Sequence, residues 1–241
     1  MSKRFGILSV ADVMFIDTET NKLELLFDSL KVATIENESD SAEARGGGGN
    51  AVRVSWNFNR TATLTMEDAL LSMASVAALA GTEIEEATTV TGRETIVVPE
   101  GGTVTLSNTP VDGSITVYNL NGGMGAEEVS ATGPTTGAEV SGLAAGERLT
   151  FVYEYDAPAG SELVRFTSNA FPKTYKVIGD TVVRDEIGNV DRTMQFYIPR
   201  AQLQSNFNIT LDAENVSTFD FNLNIIKDTE SDDLYQLIKL A

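Results

Sequence analysis

Between residues 52 and 64 the chain sets Val52, Val54, Trp56 and Phe58 at every second position, with Arg53, Ser55, Asn57 and Asn59 between them. A period of two belongs to a strand and not to a helix, because successive side chains of a strand point to opposite faces. The stretch therefore predicts a strand with one buried and one wet face. Residues 5–16, 23–35, 166–168, 173–184, 192–198 and 216–226 are further apolar, β-prone runs, and the sequence Glu186-Ile-Gly-Asn supplies a hairpin turn between two of them. Trp56, Phe58, Phe219 and Phe221 read as aromatics of a buried sheet face more readily than as a binding platform. The chain is predicted to be mainly β. One helix is expected: Thr65 followed by Asp68 resembles a capping box, and MEDALLSMASVAALAG then runs to a terminating Gly81. Leu70, Leu71, Ala74, Ala77 and Ala78 would form its apolar stripe.

Between the second and third runs lies ENESDSAEARGGGGN, residues 36–50, with no apolar side chain larger than Ala and four consecutive glycines. Such a segment cannot serve as core and loses much entropy when ordered. It is predicted to be a long mobile loop, and long polar loops in compact domains are either functional or disordered. Residues 82–162 differ again, being rich in Gly, Thr, Val and Glu. Short strand candidates at 95–98, 103–106, 114–119 and 148–155 are separated by turns such as Pro99-Glu-Gly-Gly, Asp112-Gly and Asn121-Gly-Gly. This pattern reads as a small β-sandwich of immunoglobulin-like type inserted into a larger domain. The expected division is residues 1–81 with 163–241 for the larger domain and 82–162 for the insert.

Composition narrows function. The 241 residues contain no Cys and no His, which removes disulfides, thiolate and imidazole catalysis, the Ser-His-Asp arrangement and Cys/His zinc sites. Thirty-five acidic residues against 17 basic give a net charge of −18, and that sign repels nucleic-acid phosphate. The insert holds 13 acidic residues against Arg93 and Arg148 alone, so −11 of the charge lies there and −7 in the remainder. The first residues do not read as a signal peptide, and no apolar run is long enough for a membrane span. A soluble protein made in a cytoplasm is expected.

Candidate chemical sites are weak. The glycine run lacks the Lys and Ser/Thr of a phosphate loop and precedes a strand. The acidic groups Glu36, Glu38, Asp40, Glu43 and Asp228, Glu230, Asp232, Asp233 lack calcium-loop spacing and read as solvated faces. Asn37, Asn59, Asn208 and Asn215 begin glycan-acceptor tripeptides that carry no meaning without secretion. No spacing singles out a catalytic carboxylate pair. No catalytic residue, cofactor or metal is predicted. The short apolar end DTESDDLYQLIKLA is expected to dock, on its own domain or on a neighbour.

In the order of these elements the chain resembles the tail tube, or major tail, proteins of long-tailed bacteriophages. The resemblance rests on residues 23–35, the segment 36–50, the run AVRVSWNFNRTATLTMEDALLS, and the closing stretches FPKTYKVIGDTVVR and STFDFNLNII. It covers residues 1–81 and 163–241. It implies a β-sandwich or barrel-type domain flanked by one helix, six copies closing a ring, and rings stacked as a tube through which DNA passes without specific binding. In that reading Glu36, Glu38, Asp40, Glu43, Arg45, Gly46, Gly47, Gly48, Gly49 and Asn50 reach the adjacent ring. Leu234, Tyr235, Leu237 and Ile238 act as contacts of a terminal arm. The partners would be further copies of the chain and other tail proteins, with no membrane, and the location the virion tail. Competing readings are another phage ring or decoration protein, such as a tail terminator, baseplate or capsid decoration protein, a carbohydrate-binding adhesion module, and a two-carboxylate hydrolase.

Overall fold

The computed structural model describes residues 4–119, 127–129, 138–187, 190–207 and 218–240. In chain order, β1 (Phe5–Ile7), β2 (Asp12–Asp17), β3 (Leu23–Phe27), β4 (Leu30–Arg45) and β5 (Val52–Asp68) precede the helix α1 (Met73–Ala80). Eight strands follow: β6 (Glu85–Glu86), β7 (Thr89–Val97), β8 (Val104–Thr105), β9 (Thr116–Asn119), β10 (Glu127–Glu128), β11 (Glu139–Val140), β12 (Arg148–Asp156) and β13 (Glu162–Leu163). The last four are β14 (Thr174–Asp185), β15 (Asp191–Leu203), β16 (Phe219–Ile225) and β17 (Gln236–Lys239). The chain is mainly β and divides into two compact units, Met1–Ile84 with Val164–Ala241 and Glu85–Leu163. The predicted turn at Asn121 and the acceptor positions Asn208 and Asn215 lie outside the described residues, as does part of the turn after Glu186.

The first unit is built on one antiparallel sheet in the order β3-β2-β14-β15-β16-β5-β4. One side of β14 takes β2 along Tyr175–Asp180 and then β1 along 183–185. The far side of β15 likewise takes β16 at 201–203 and β17 at 194–197. Alternate residues of these strands supply one core: Val13, Phe15, Leu25, Phe27, Leu64, Met66, Val177, Ile198, Phe221 and Leu223 are all buried. The sheet curls, because Phe27 of β3 packs on Phe221 of β16 at 4.9 Å between ring centroids, although β2, β14 and β15 lie between them in the sheet. Each such side chain stabilises the fold by roughly 1.5–3 kcal/mol. Gly179 sits beneath the ring of Phe196, where any Cβ would overlap that ring.

The helix begins later than the sequence suggests. Residues 62–68 continue β5 between β16 and β4, with Leu64, Met66 and Asp68 buried. Backbone pairing on two sides and a buried alternate face outweigh the weak local helix start at Thr65. The actual capping box is Ser72 with Ser75, each bonded to the other's backbone N–H. Leu70 and Leu71 precede it and are exposed. The end is as expected: Gly81 is left-handed at φ 67°, and the N–H groups of Gly81 and Thr82 close on Ala78 and Ala77.

The second unit has a four-stranded sheet, β10-β9-β12-β7, with the short pairs β11-β8 and β13-β6. Its own core comprises Val98, Val104, Leu106, Val117, Val140, Leu143, Leu149, Phe151 and Tyr153. Tyr153 lies across Gly92 of β7, and its hydroxyl donates to Glu94 on the same strand. Ser107 donates to that carboxylate through its backbone N–H, at 3.0 Å, and its hydroxyl, at 2.9 Å.

Candidate assembly surfaces

Segment 36–50 is not a loop. Glu36, Glu38, Asp40, Glu43 and Arg45 belong to β4, which pairs with β5 from Leu30 opposite Asp68 out to Arg45 opposite Val52. A strand needs a partner's backbone, not apolar side chains of its own, and the β-branched and aromatic residues of β5 supply a strong partner. The turn is confined to Gly46, Gly47, Gly48, Gly49 and Asn50. Gly47, Gly49 and Asn50 have φ of 85°, 81° and 50°, and Asn50 N–H donates to Gly47 O. These left-handed positions are why the run is glycine-rich. Arg53 Nε donates to the Gly46 carbonyl at 3.0 Å, and Arg45 pairs with Glu43 at 2.5 Å.

β16 accompanies β5 only as far as Ala62. From Thr61 outward the β4–β5 pair continues as a two-stranded ribbon, and every residue of Val52–Thr61 is exposed. At about 3.3 Å per residue, ten residues project roughly 30 Å.

A bulge sets which face is which. Glu38 stands opposite Thr61 but Asp40 opposite Phe58, so β5 carries one extra residue. Asn59 takes up the distortion at φ 49°, and its amide donates to Asp40 at 3.1 Å. Below the bulge the even residues of β5 point into the core. Beyond it Val54, Trp56 and Phe58 share a face with Ala44, Ala42 and Asp40, and that face continues the side of the sheet opposite the core. Trp56 is 55% exposed and Phe58 47%. The expectation that both are core residues is therefore wrong for the single chain, although it holds for the buried Phe221, and Phe219 is half-buried against the same core. Sequence alternation marked the row, but only the pairing register shows that it faces away from the core of the described residues.

The terminal arm divides. Leu234 and Tyr235 pack on the core of their own unit, and the Tyr235 hydroxyl accepts from Asn37 Nδ2 at 2.7 Å. Leu237 and Ile238 lie on β17 and stay exposed. The preceding acidic stretch is a turn: Asp228 accepts from Thr229 N–H at 2.7 Å and Ser231 Oγ at 3.1 Å, and Lys227 pairs with Asp232. The turn and solvent account for these carboxylates. Among the described residues no group of three or more metal-ligating side chains converges, and no helix is long and apolar enough to cross a membrane.

Toward the β14–β15 turn β1 edges β14 at 183–185 and, one step back from the turn, β17 edges β15 at 194–197; neither outer strand has a further partner among the described residues. Phe5 and Ile7 on one edge and Leu237 and Ile238 on the other are exposed. Open, apolar edges invite pairing with another chain.

No curated protein matches the chain in sequence. The family model described as the YomU/Tube protein family matches residues 5–239, nearly the whole length. With two open sheet edges and a bare ribbon as its prominent surfaces, the chain belongs to the YomU/Tube protein family, a phage tube-type structural family.

Proposed function

We propose that the chain is the subunit of a phage tail tube: six copies close a ring, and rings stack to enclose the channel through which DNA is ejected. The observation that carries this reading is the β4–β5 ribbon. It is formed and hydrogen-bonded in the single chain, yet its Val54-Trp56-Phe58 row is exposed and belongs to neither core of the described residues, as suits an element whose packing partner is another subunit. On this reading residues 36–50 bridge to the adjacent ring.

Ring closure suits the open edges. Because β1-β14-β15-β17 is an even number of alternating strands, β1 and β17 run in opposite directions. Laying β17 of one copy beside β1 of the next is then antiparallel with both copies in the same orientation, as a cyclic, head-to-tail interface requires. The side of the sheet opposite the core suits a channel in its β16-β5-β4 half. The rungs Asn224-Thr63-Glu36, Asn222-Thr65-Thr34 and Asp220-Glu67 carry no cation to hold phosphate. The other half of that side bears the apolar rung Leu26-Met14-Ile178-Tyr197 and suits contact with protein. The second unit, with its own core, is read as an immunoglobulin-like ornament on the tube exterior.

Electron microscopy of the purified protein at rising concentration tests the proposal. Stacked rings with a central bore are the expected result. A chain that stays monomeric at every concentration would overturn it, and rings that never stack would favour a terminator or baseplate ring.

A further inference from the structure

We propose that Asp185 is a clasp that fastens the first and last strands of the chain, β1 and β17, so that the two are held or released together. Asp185 ends β14 on the inner side of the sheet and is 4% exposed. Its carboxylate accepts from Arg192 Nε at 3.1 Å and from Lys239 Nζ. The Lys239 ammonium also stands 4.6 Å from the ring centroid of Phe5, and Phe5 lies directly opposite Asp185 in the β1–β14 pair. Lys239 belongs to β17, so one ammonium joins a carboxylate and a ring that share its side of the sheet, with β15 and β14 between β17 and β1.

Both strands are short. β1 pairs over three residues, flanked by bonds from Glu186 N–H to Arg4 O at 2.9 Å and from Leu8 N–H to Val182 O at 2.8 Å, and β17 pairs over four, flanked by Leu240 N–H to Thr193 O at 2.9 Å. Pairings this short are marginal without side-chain support. The charged groups that face Asp185 are Arg192 from β15 and Lys239 from β17, while β1 offers the uncharged ring of Phe5. Arg184 and Asp191 pair with one another on the opposite face, and Glu186 and Arg4 flank the site along the backbone. Remove the charge of Asp185 and two partly exposed cations are left facing each other without a counter-charge, an unfavourable arrangement. Lys239, on the short edge strand β17 with its side chain already 27% exposed, swings into water, and its contact with Phe5 leaves with it.

Hydrogen bonding from Lys239, reinforced by Arg192, holds the Asp185 carboxyl below the usual range against the opposing effect of burial. A lowered folded value means that the clasp is closed above the ordinary aspartate value of about 3.9. It opens only as the pH falls through the folded value below that. The consequence for assembly rests on the ring reading given above: if β1 and β17 are the two ring edges, one ionised cluster keeps both in place.

Hydrogen exchange of the full chain, followed in fragments containing 4–8 and 236–240, provides the test. In Asp185→Asn both fragments are expected to exchange at least about tenfold faster than in the wild type, while 219–225 is unchanged. Lys239→Met, at a partly exposed position outside the buried core, should do the same. Arg184→Gln, which breaks the ion pair on the other face, should leave both fragments protected. Loosening of β17 with β1 still protected, or no loosening of either, would overturn the clasp. If both strands loosen but tubes form as fast as in the wild type, the clasp stands and the assignment of β1 and β17 as ring edges falls.

Discussion

Asp17, at the end of β2, is 2% exposed, and its position there is secured by bonds rather than by charge alone. Its carboxylate accepts the N–H groups of Thr20 at 3.0 Å and Glu19 at 2.6 Å, and Lys173 approaches to 3.4 Å. The Thr20 N–H, joined by Glu19 and Lys173, brings the carboxyl below its usual value although burial opposes it. A carboxyl lowered in the folded state contributes stability that is complete above its unfolded value, about 3.9, and is lost as pH falls through the folded one. Urea denaturation between pH 6 and pH 2.5 should therefore show an acid loss of stability that is shallower in Asp17→Asn, with the variant already less stable at pH 6. An unchanged acid limb would mean that the β2–β3 turn is not held by this carboxylate. Single residues set geometry elsewhere too. Asn59, left-handed at φ 49°, turns the aromatic row of the ribbon to the face opposite the core, and Gly179 leaves room for the Phe196 ring.

At the scale of elements, the ribbon is the part whose removal separates folding from assembly. Asn37 and Ala62 stand directly opposite one another at the last level where β16 still covers β5. Replacing 38–61 with Asn-Gly would close a two-residue hairpin across that pair, a turn whose twist matches the flanking strands. No member of the buried core cluster is lost, since its β5 residues begin at Ala62. The melting midpoint of the first unit is expected to stay within about 2–4 °C, while electron microscopy should show rings that no longer stack. A shortened chain that still formed long tubes would dismiss the ribbon as the bridge. The strands themselves were legible because their alternation is what a half-buried sheet needs, as in Phe15, Val177 and Phe221. The helix start was not, because the cap is Ser72 with Ser75 where the usual sign is a Glu or Gln. The outer half of β4 was hidden for a different reason. A strand with no buried face leaves no period in its own sequence, and its partner is found only by register.

At the scale of the whole molecule, the two units have separate cores with no shared residue. The chain enters the second unit and leaves it at neighbouring points, since Glu85 stands opposite Leu163 in the β6–β13 pair, with Cα atoms about 4.5–5.5 Å apart as in any antiparallel ladder. On the side of the first unit Thr82 Oγ1 donates to the Arg165 carbonyl at 3.1 Å, so the two crossings are tied together there as well. Excising 85–163 and joining Ile84 to Val164 through two glycines therefore asks little of the remaining backbone. The excised piece has twelve acidic residues and only Arg93 and Arg148 as cations, so −10 of the chain's −18 goes with it. Self-repulsion between copies falls accordingly, and it is this term that added salt screens. The shortened protein is expected to be soluble, to unfold in a single transition, and to form tubes at a lower concentration than the full chain, with a weaker dependence on salt. Sedimentation across a salt series reads both effects. Insoluble product, or a fold that collapses on excision, would show that the second unit supports the first. Tubes with an unchanged salt dependence would show instead that its acidity lies too far from any subunit contact to matter.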